Sequence, residues 1–136
     1  MKIETGAELP AYRIESVSPE TMKVWAPILR DPNPIHLDRE VVKAKGLGER
    51  LINQGPINVA YVMDMLMRNF PQGRIVSMTN RFVDNVYEDD AVEATATITG
   101  VEKAGDETRV SCDFALKADE RSVVISGTAV VAVPNT

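Results

Sequence analysis

The chain has 136 residues, of which 44% are hydrophobic and 26% charged, and it carries a net charge of −5 at neutral pH. That is one domain, residues 1–136, with apolar content for a core, and it excludes a disordered tail or a membrane-embedded chain. The apolar runs fall well short of the roughly 20 residues of a spanning helix. Residues 1–6 show no signal-peptide pattern. The basic residues are scattered, without the concentrated footprint that nucleic acid requires. One cysteine, Cys112, and one histidine, His36, cannot build an internal disulfide or a four-ligand zinc site. No metal is expected, and a reducing cytoplasm is the expected compartment.

In chain order, residues 9–17 (LPAYRIESV) read as an edge strand. Ser18-Pro19-Glu20 is a helix start: a capping serine, a proline at the first helical position and an acid at the positive end of the helix dipole. Met22, Trp25 and Leu29 follow at helical spacing, and Pro27 inside that pattern makes the helix short or kinked. Residues 31–38 (DPNPIHLD) cannot form a regular helix, because each proline pushes the residue before it toward extended geometry. A short helix follows over residues 39–45, ending near Gly46 and Gly48.

Gly55-Pro56 opens the most apolar helix, which runs to Phe70 before Pro71-Gln72-Gly73. Apolar residues cover nearly its whole circumference, the pattern of a buried helix. Residues 74–85 read as a strand. In residues 92–98 Val, Ala, Ala and Ile alternate with Glu and Thr, and Val110, Cys112, Phe114 and Leu116 repeat that period of two. Residues 122–133 are nearly all apolar, as a central strand is. Glu88-Asp89-Asp90 and Ala104-Gly105-Asp106 are the turns between strands. Cys112, on an apolar strand face, reads as a small buried hydrophobe. The fold class is α+β: a sheet of about five strands with one face covered by the apolar helix.

Two segments could carry chemistry. Residues 31–36 (DPNPIH) place a carboxylate and an imidazole at the two ends of a stiff loop. Stiffness suits an acid/base pair, since about 1 Å of misplacement can cost roughly a hundredfold in rate. The same residues also make an ordinary turn with an Asp cap. A calcium loop fails, because its fifth and twelfth positions would be Ile35 and Val42. In residues 53–56 (NQGP), a helix start offers free N–H groups and partial positive charge. The N–H of Gly55 or Ile57 could hold an oxyanion, or the segment could be a plain cap.

The 31–38 run, followed about eighteen residues later by Gln54-Gly55 opening an apolar helix, resembles the MaoC-like dehydratases, which include (R)-specific enoyl-CoA hydratases and 3-hydroxyacyl thioester dehydratases. The likeness in layout spans essentially the whole chain. It implies a hot-dog fold, a curved antiparallel sheet wrapped around the Pro56–Phe70 helix, and an oligomer, either a homodimer or a heteromer with a homologue. It implies that Asp31 and His36 hold a water and deliver hydroxide to C3 and a proton to C2 of a 2-enoyl thioester. The Gly55 N–H would bind the thioester oxygen. Asn33, Gln54, Ile57 and Met63 would lie beside substrate, Asn33 chiefly as a brace of the loop. No cofactor is implied, coenzyme A being part of the substrate, and Lys45, Arg50 and Arg81 are the candidate cations for its phosphates. The chain departs from the family pattern at Gln54, where a histidine is usual, at Pro56, where a methionine is usual, and at Met63, where relatives carry a small polar residue supporting the carboxylate. Asn53 or Asn58 could take over that support.

Overall fold

The computed structural model describes residues 1–119 and 122–135. The elements run β1 (Tyr12–Ile14), α1 (Pro19–Leu29), a 3-10 turn (Pro34–His36), α2 (Arg39–Ala44), α3 (Gly55–Asn69), β2 (Arg74–Phe82), β3 (Val92–Ala104), β4 (Glu107–Ala118) and β5 (Ser122–Pro134). The strands form one antiparallel sheet in the order β1-β3-β4-β5-β2. All the helices lie between β1 and β2, which are the two edges. The helical segment therefore carries the chain from one side of the sheet to the other, and α3 touches all five strands on the way.

The period-two pattern of the sequence becomes the core. Val92, Ala94, Ala96 and Ile98 of β3 and Val110, Cys112, Phe114 and Leu116 of β4 are buried, facing Val62, Met65 and Leu66 of α3 in one cluster. Burial of this helix-on-sheet face stabilises the fold at about 25 cal/mol per Å² of apolar surface removed from water. Gly127 of β5 is a close-packing point. A Cβ built there would lie 1.9 Å from the Thr79 carbonyl oxygen and 2.7 Å from the Phe114 ring, so only glycine lets β2 and β5 pair across it.

Three expectations are corrected. The first strand covers only Tyr12–Ile14 of residues 9–17, because Pro10 has no N–H to give to the ladder. Glu8 instead makes an isolated bridge to Thr97. The strand expected to reach residue 85 ends at Phe82, where Val83 and Asp84 both turn their N–H groups onto one carbonyl, that of Val124. The apolar helix is not buried all round: Pro56, Ala60, Met63, Asp64 and Arg68 of α3 are exposed, because the sheet covers one face only. The Pro27 expectation is met by a short helix of 11 residues that carries the proline within it.

Candidate active site

Ser18 caps α1, its hydroxyl accepting from the Glu20 N–H at 3.2 Å. The helix closes at Arg30, a non-glycine residue in left-handed conformation (φ 51°). The Asp31 N–H then returns to the Ala26 carbonyl at 3.0 Å, so Asp31 leaves the helix in a defined direction. The loop is locked by its own side chains. Asp31 Oδ1 accepts from the Asn33 N–H (3.2 Å), and Asn33 Oδ1 accepts from the Ile35 N–H (3.3 Å), which starts the 3-10 turn. These are Asx turns, the local chemistry of Asp and Asn before proline. Asp38 then caps α2 through the Glu40 N–H at 2.9 Å.

The outcome is a pair. His36 Nε2 lies 3.2 Å from Asp31 Oδ2, with the imidazole side chain only 8% exposed and the carboxylate 34%. On its other side His36 Nδ1 lies 2.6 Å from the Ile52 carbonyl oxygen. A carbonyl only accepts, so Nδ1 carries the proton and Nε2 is the nitrogen turned to Asp31. The imidazole is shielded behind by protein and is reachable through the more exposed Asp31 in front. Asp31 borders an open depression of about 460 Å³ with Ala26, Arg30 and Leu37.

Residues 51–53 connect this pair to α3. The Ile52 N–H donates to the Ile35 carbonyl at 3.1 Å, so His36 sits beside the segment that leads into Gly55. Gly55 is the first residue of α3, at the positive end of a helix of 15 residues, and has no carbonyl one turn back within the helix to receive its N–H. Of the two N–H groups considered for an oxyanion, that of Ile57 is spent on the Gln54 carbonyl at 3.1 Å. Pro56 has none, which leaves Gly55. The Ile57 side chain lines a separate, mainly apolar cavity of about 210 Å³ between α1 and α3, with Trp25, Leu29, Tyr61 and Asp64. Burial holds the Tyr61 phenol above its ordinary pKa, so it stays an O–H group.

Other expected residues lie elsewhere. The Gln54 side chain is fully buried and donates to the Met22 carbonyl at 2.9 Å, tying α3 to α1 rather than facing a ligand. Met63 is 42% exposed and does not line the α1–α3 cavity. Asn53 and Asn58 do not brace Asp31: Asn53 Nδ2 donates to Asn58 Oδ1 at 2.8 Å and to the Tyr61 hydroxyl at 3.3 Å. Arg50 is committed to Asp90 at 2.8 Å and packs over the Tyr87 ring. Burial beside Asp113 pushes the Cys112 thiol up to about 11, so it is no nucleophile at neutral pH.

Ile52 carries no signal in the sequence, because its role is played by a backbone carbonyl that any residue type supplies. Glu88, which the sequence marks only as a turn residue, is 4% exposed.

The model of the family described as MaoC like domain matches residues 3–117. The chain belongs to this MaoC-like family. A sequence comparison with curated proteins gives no match. Among solved structures, the chain superposes on the (R)-hydratase of A. caviae involved in PHA biosynthesis with a TM-score of 0.85, at 20% identity, over 96% of this chain and 97% of that one. The ChsH1–ChsH2 complex of Mycobacterium tuberculosis gives 0.82 at 18% identity, over 97% and 99%. The C-terminally truncated HadBC (3R-hydroxyacyl-ACP dehydratase) complex of the same organism gives 0.74 at 16%, over 96% and 97%. At these identities the structures show a shared fold, and the fold is the MaoC-like hot-dog. Among the described residues, no helix is long and apolar enough to cross a membrane.

Proposed function

We propose that this MaoC-like chain is a hydro-lyase that adds water reversibly across the double bond of a trans-2-enoyl thioester, with coenzyme A as the carrier. The observation that carries the reading is the Asp31–His36 pair, with Nε2 and Oδ2 3.2 Å apart on a loop locked by its own side chains. A water held by Asp31 Oδ2 and His36 Nε2 loses a proton to the pair as its oxygen bonds to C3. The pair returns a proton to C2, so the sum is one water added and no net charge. Negative charge that builds on the thioester oxygen meanwhile is met by the Gly55 N–H and the α3 dipole. One such donor is worth roughly 2.7–4 kcal/mol in the transition state. The reaction uses no cofactor or metal, coenzyme A entering only with the substrate.

The working form we propose is a dimer. Val24 and Ile28 of α1, Leu37 beside His36, Phe82 at the end of β2 and Val83 just after it are all exposed. Exposed apolar side chains of this kind fit a subunit interface, and Leu37 borders the same depression as Asp31. Two of the similar structures are named as two-component complexes, which favours a homologous partner as the second reading, and one is named for a carrier-protein substrate.

The deciding experiment follows the ultraviolet absorbance of the conjugated enoyl thioester with purified protein, over CoA substrates from four carbons to a bulky ring-bearing acyl group. Loss of absorbance with any of them supports hydration. No loss across the panel overturns the CoA reading, and the carrier-protein and partner-subunit readings are then tested in turn.

A further inference from the structure

We propose that Glu88 is a positioning residue that sets the tautomer of His36 by holding both ends of the His36–Ile52 hydrogen bond. Residues 51–53 and 86–88 form a short antiparallel ribbon. The Glu88 N–H donates to the Leu51 carbonyl at 2.8 Å, the Asn53 N–H donates to the Val86 carbonyl at 2.7 Å, and Ile52 bridges Tyr87. Backbone groups alternate along a ribbon. With Leu51 and Asn53 engaged toward 86–88, the Ile52 N–H and C=O must face the other way. There they meet the Ile35 carbonyl and His36 Nδ1.

The Glu88 carboxylate clamps this arrangement. Oε1 accepts from the Leu51 N–H at 3.0 Å, one residue before Ile52. The two oxygens also take Nε and Nη2 of Arg39 at 2.6 and 2.5 Å, and Arg39 lies three residues beyond His36. One buried carboxylate is thus bonded to the segment that carries the imidazole and to the segment that carries its acceptor. Arg50 Nη1 closes the cluster, donating to the Glu88 carbonyl at 3.0 Å and to Asp90. Within the cluster each carboxylate is paired with a guanidinium, Glu88 with Arg39 and Asp90 with Arg50. Among the described residues no hydrogen bond or ion pair joins Glu88 to Asp31 or His36, so its effect passes through Leu51 to the Ile52 carbonyl and through Arg39 to the segment of the imidazole. When that carbonyl drifts, nothing holds the proton on Nδ1, and the Nε2-protonated neutral form, which cannot take a proton from water at Nε2, gains population.

The consequence for turnover rests on the hydro-lyase reading, but the tautomer can be seen without it. His36 is the chain's one histidine, so the long-range proton–nitrogen correlation spectrum of the imidazole belongs to it alone. In the native protein without substrate, the spectrum is expected to show the Nδ1-protonated form. Glu88→Gln, which keeps shape but loses charge, is expected to mix in the Nε2-protonated form. It should also lower kcat about tenfold to a hundredfold while KM moves less than threefold. Arg39→Gln, at a side chain 58% exposed, gives the same change in weaker form and serves if the Glu88 variant does not fold. Val110→Ala, a core truncation in β4, should lower stability and leave the His36 spectrum native. A native His36 spectrum in the folded Glu88 and Arg39 variants overturns the proposal, whatever happens to activity. If the native protein hydrates no thioester but the spectrum shifts as expected, the positioning role stands and the hydro-lyase reading falls.

Discussion

Asp31 divides its two oxygens between structure and chemistry. Oδ1 holds the loop through Asn33 and Oδ2 faces His36. An asparagine can keep the first contact with its carbonyl, but it cannot take up or release a proton. Asp31→Asn is therefore expected to fold with near-native stability and to lose about 10²–10⁴-fold in kcat, the usual worth of a positioned acid or base. His36→Ala should lose as much activity and also about 1–3 kcal/mol of stability, because the buried Ile52 carbonyl then lacks its donor. Enoyl-thioester kinetics with urea unfolding measures both, and near-native turnover in either variant refutes the pair as catalytic. Residue types alone brought the reading this far: Asp, Asn and two prolines in six positions form a stiff turn through contacts between near neighbours. The same residues gave no sign of which imidazole nitrogen would face the carboxylate, since a carbonyl sixteen residues away decides it.

At the scale of elements, the strands followed from alternation and the α1 start from Ser18-Pro19, but strand ends depended on what lay opposite. Gly127 shows why. Nothing in its neighbours marks it, yet β2 passes so close that an added methyl would overlap the Thr79 carbonyl. Gly127→Ala is expected to destabilise the fold by about 1–3 kcal/mol or more, seen as a lower urea midpoint. The 51–53/86–88 ribbon makes a second prediction. Hydrogen bonds from Arg39 hold the Glu88 carboxyl below its ordinary value of 4.5, against the opposing effect of burial. A depressed folded-state pKa gives stability that is present above the ordinary value and is lost as pH falls below it toward the folded value. The melting temperature should therefore drop as pH falls below 4.5, and part of that drop should be missing in Glu88→Gln. An identical acid profile in the two proteins would contradict the buried pairing.

For the whole molecule, the covered face and the bare face of α3 are the informative contrast. Val62, Met65 and Leu66 are fully buried by the sheet, while Met63 and Asp64 are exposed one position away. Apolar periodicity could not separate them, because it shows that a helix is apolar on several sides without showing which side the sheet covers. Trp25, the chain's one tryptophan, is 40% exposed on the cavity between α1 and α3. If acyl groups enter there, a saturated acyl-CoA that cannot react should shift Trp25 emission to the blue and saturate. An unchanged spectrum at concentrations that inhibit turnover would place the acyl group elsewhere. Sedimentation of the same sample should give a dimer, and a monomer that remains active would remove the interface from the site.

The sequence by itself determined what short-range forces decide: the capped helices, the locked loop of residues 31–36, the alternating strands and the glycine that opens α3. Each rests on steric and hydrogen-bonding preferences within a few residues, which hold wherever the segment sits. Tertiary structure alone decided that Gln54 ties to Met22 rather than to a ligand, that Glu88 is buried against Arg39 and Leu51, and that Ile52 orients His36. Those partners stand 16 to 49 residues apart in the chain. They meet because sheet register and helix packing bring them together, and local residue patterns do not specify either.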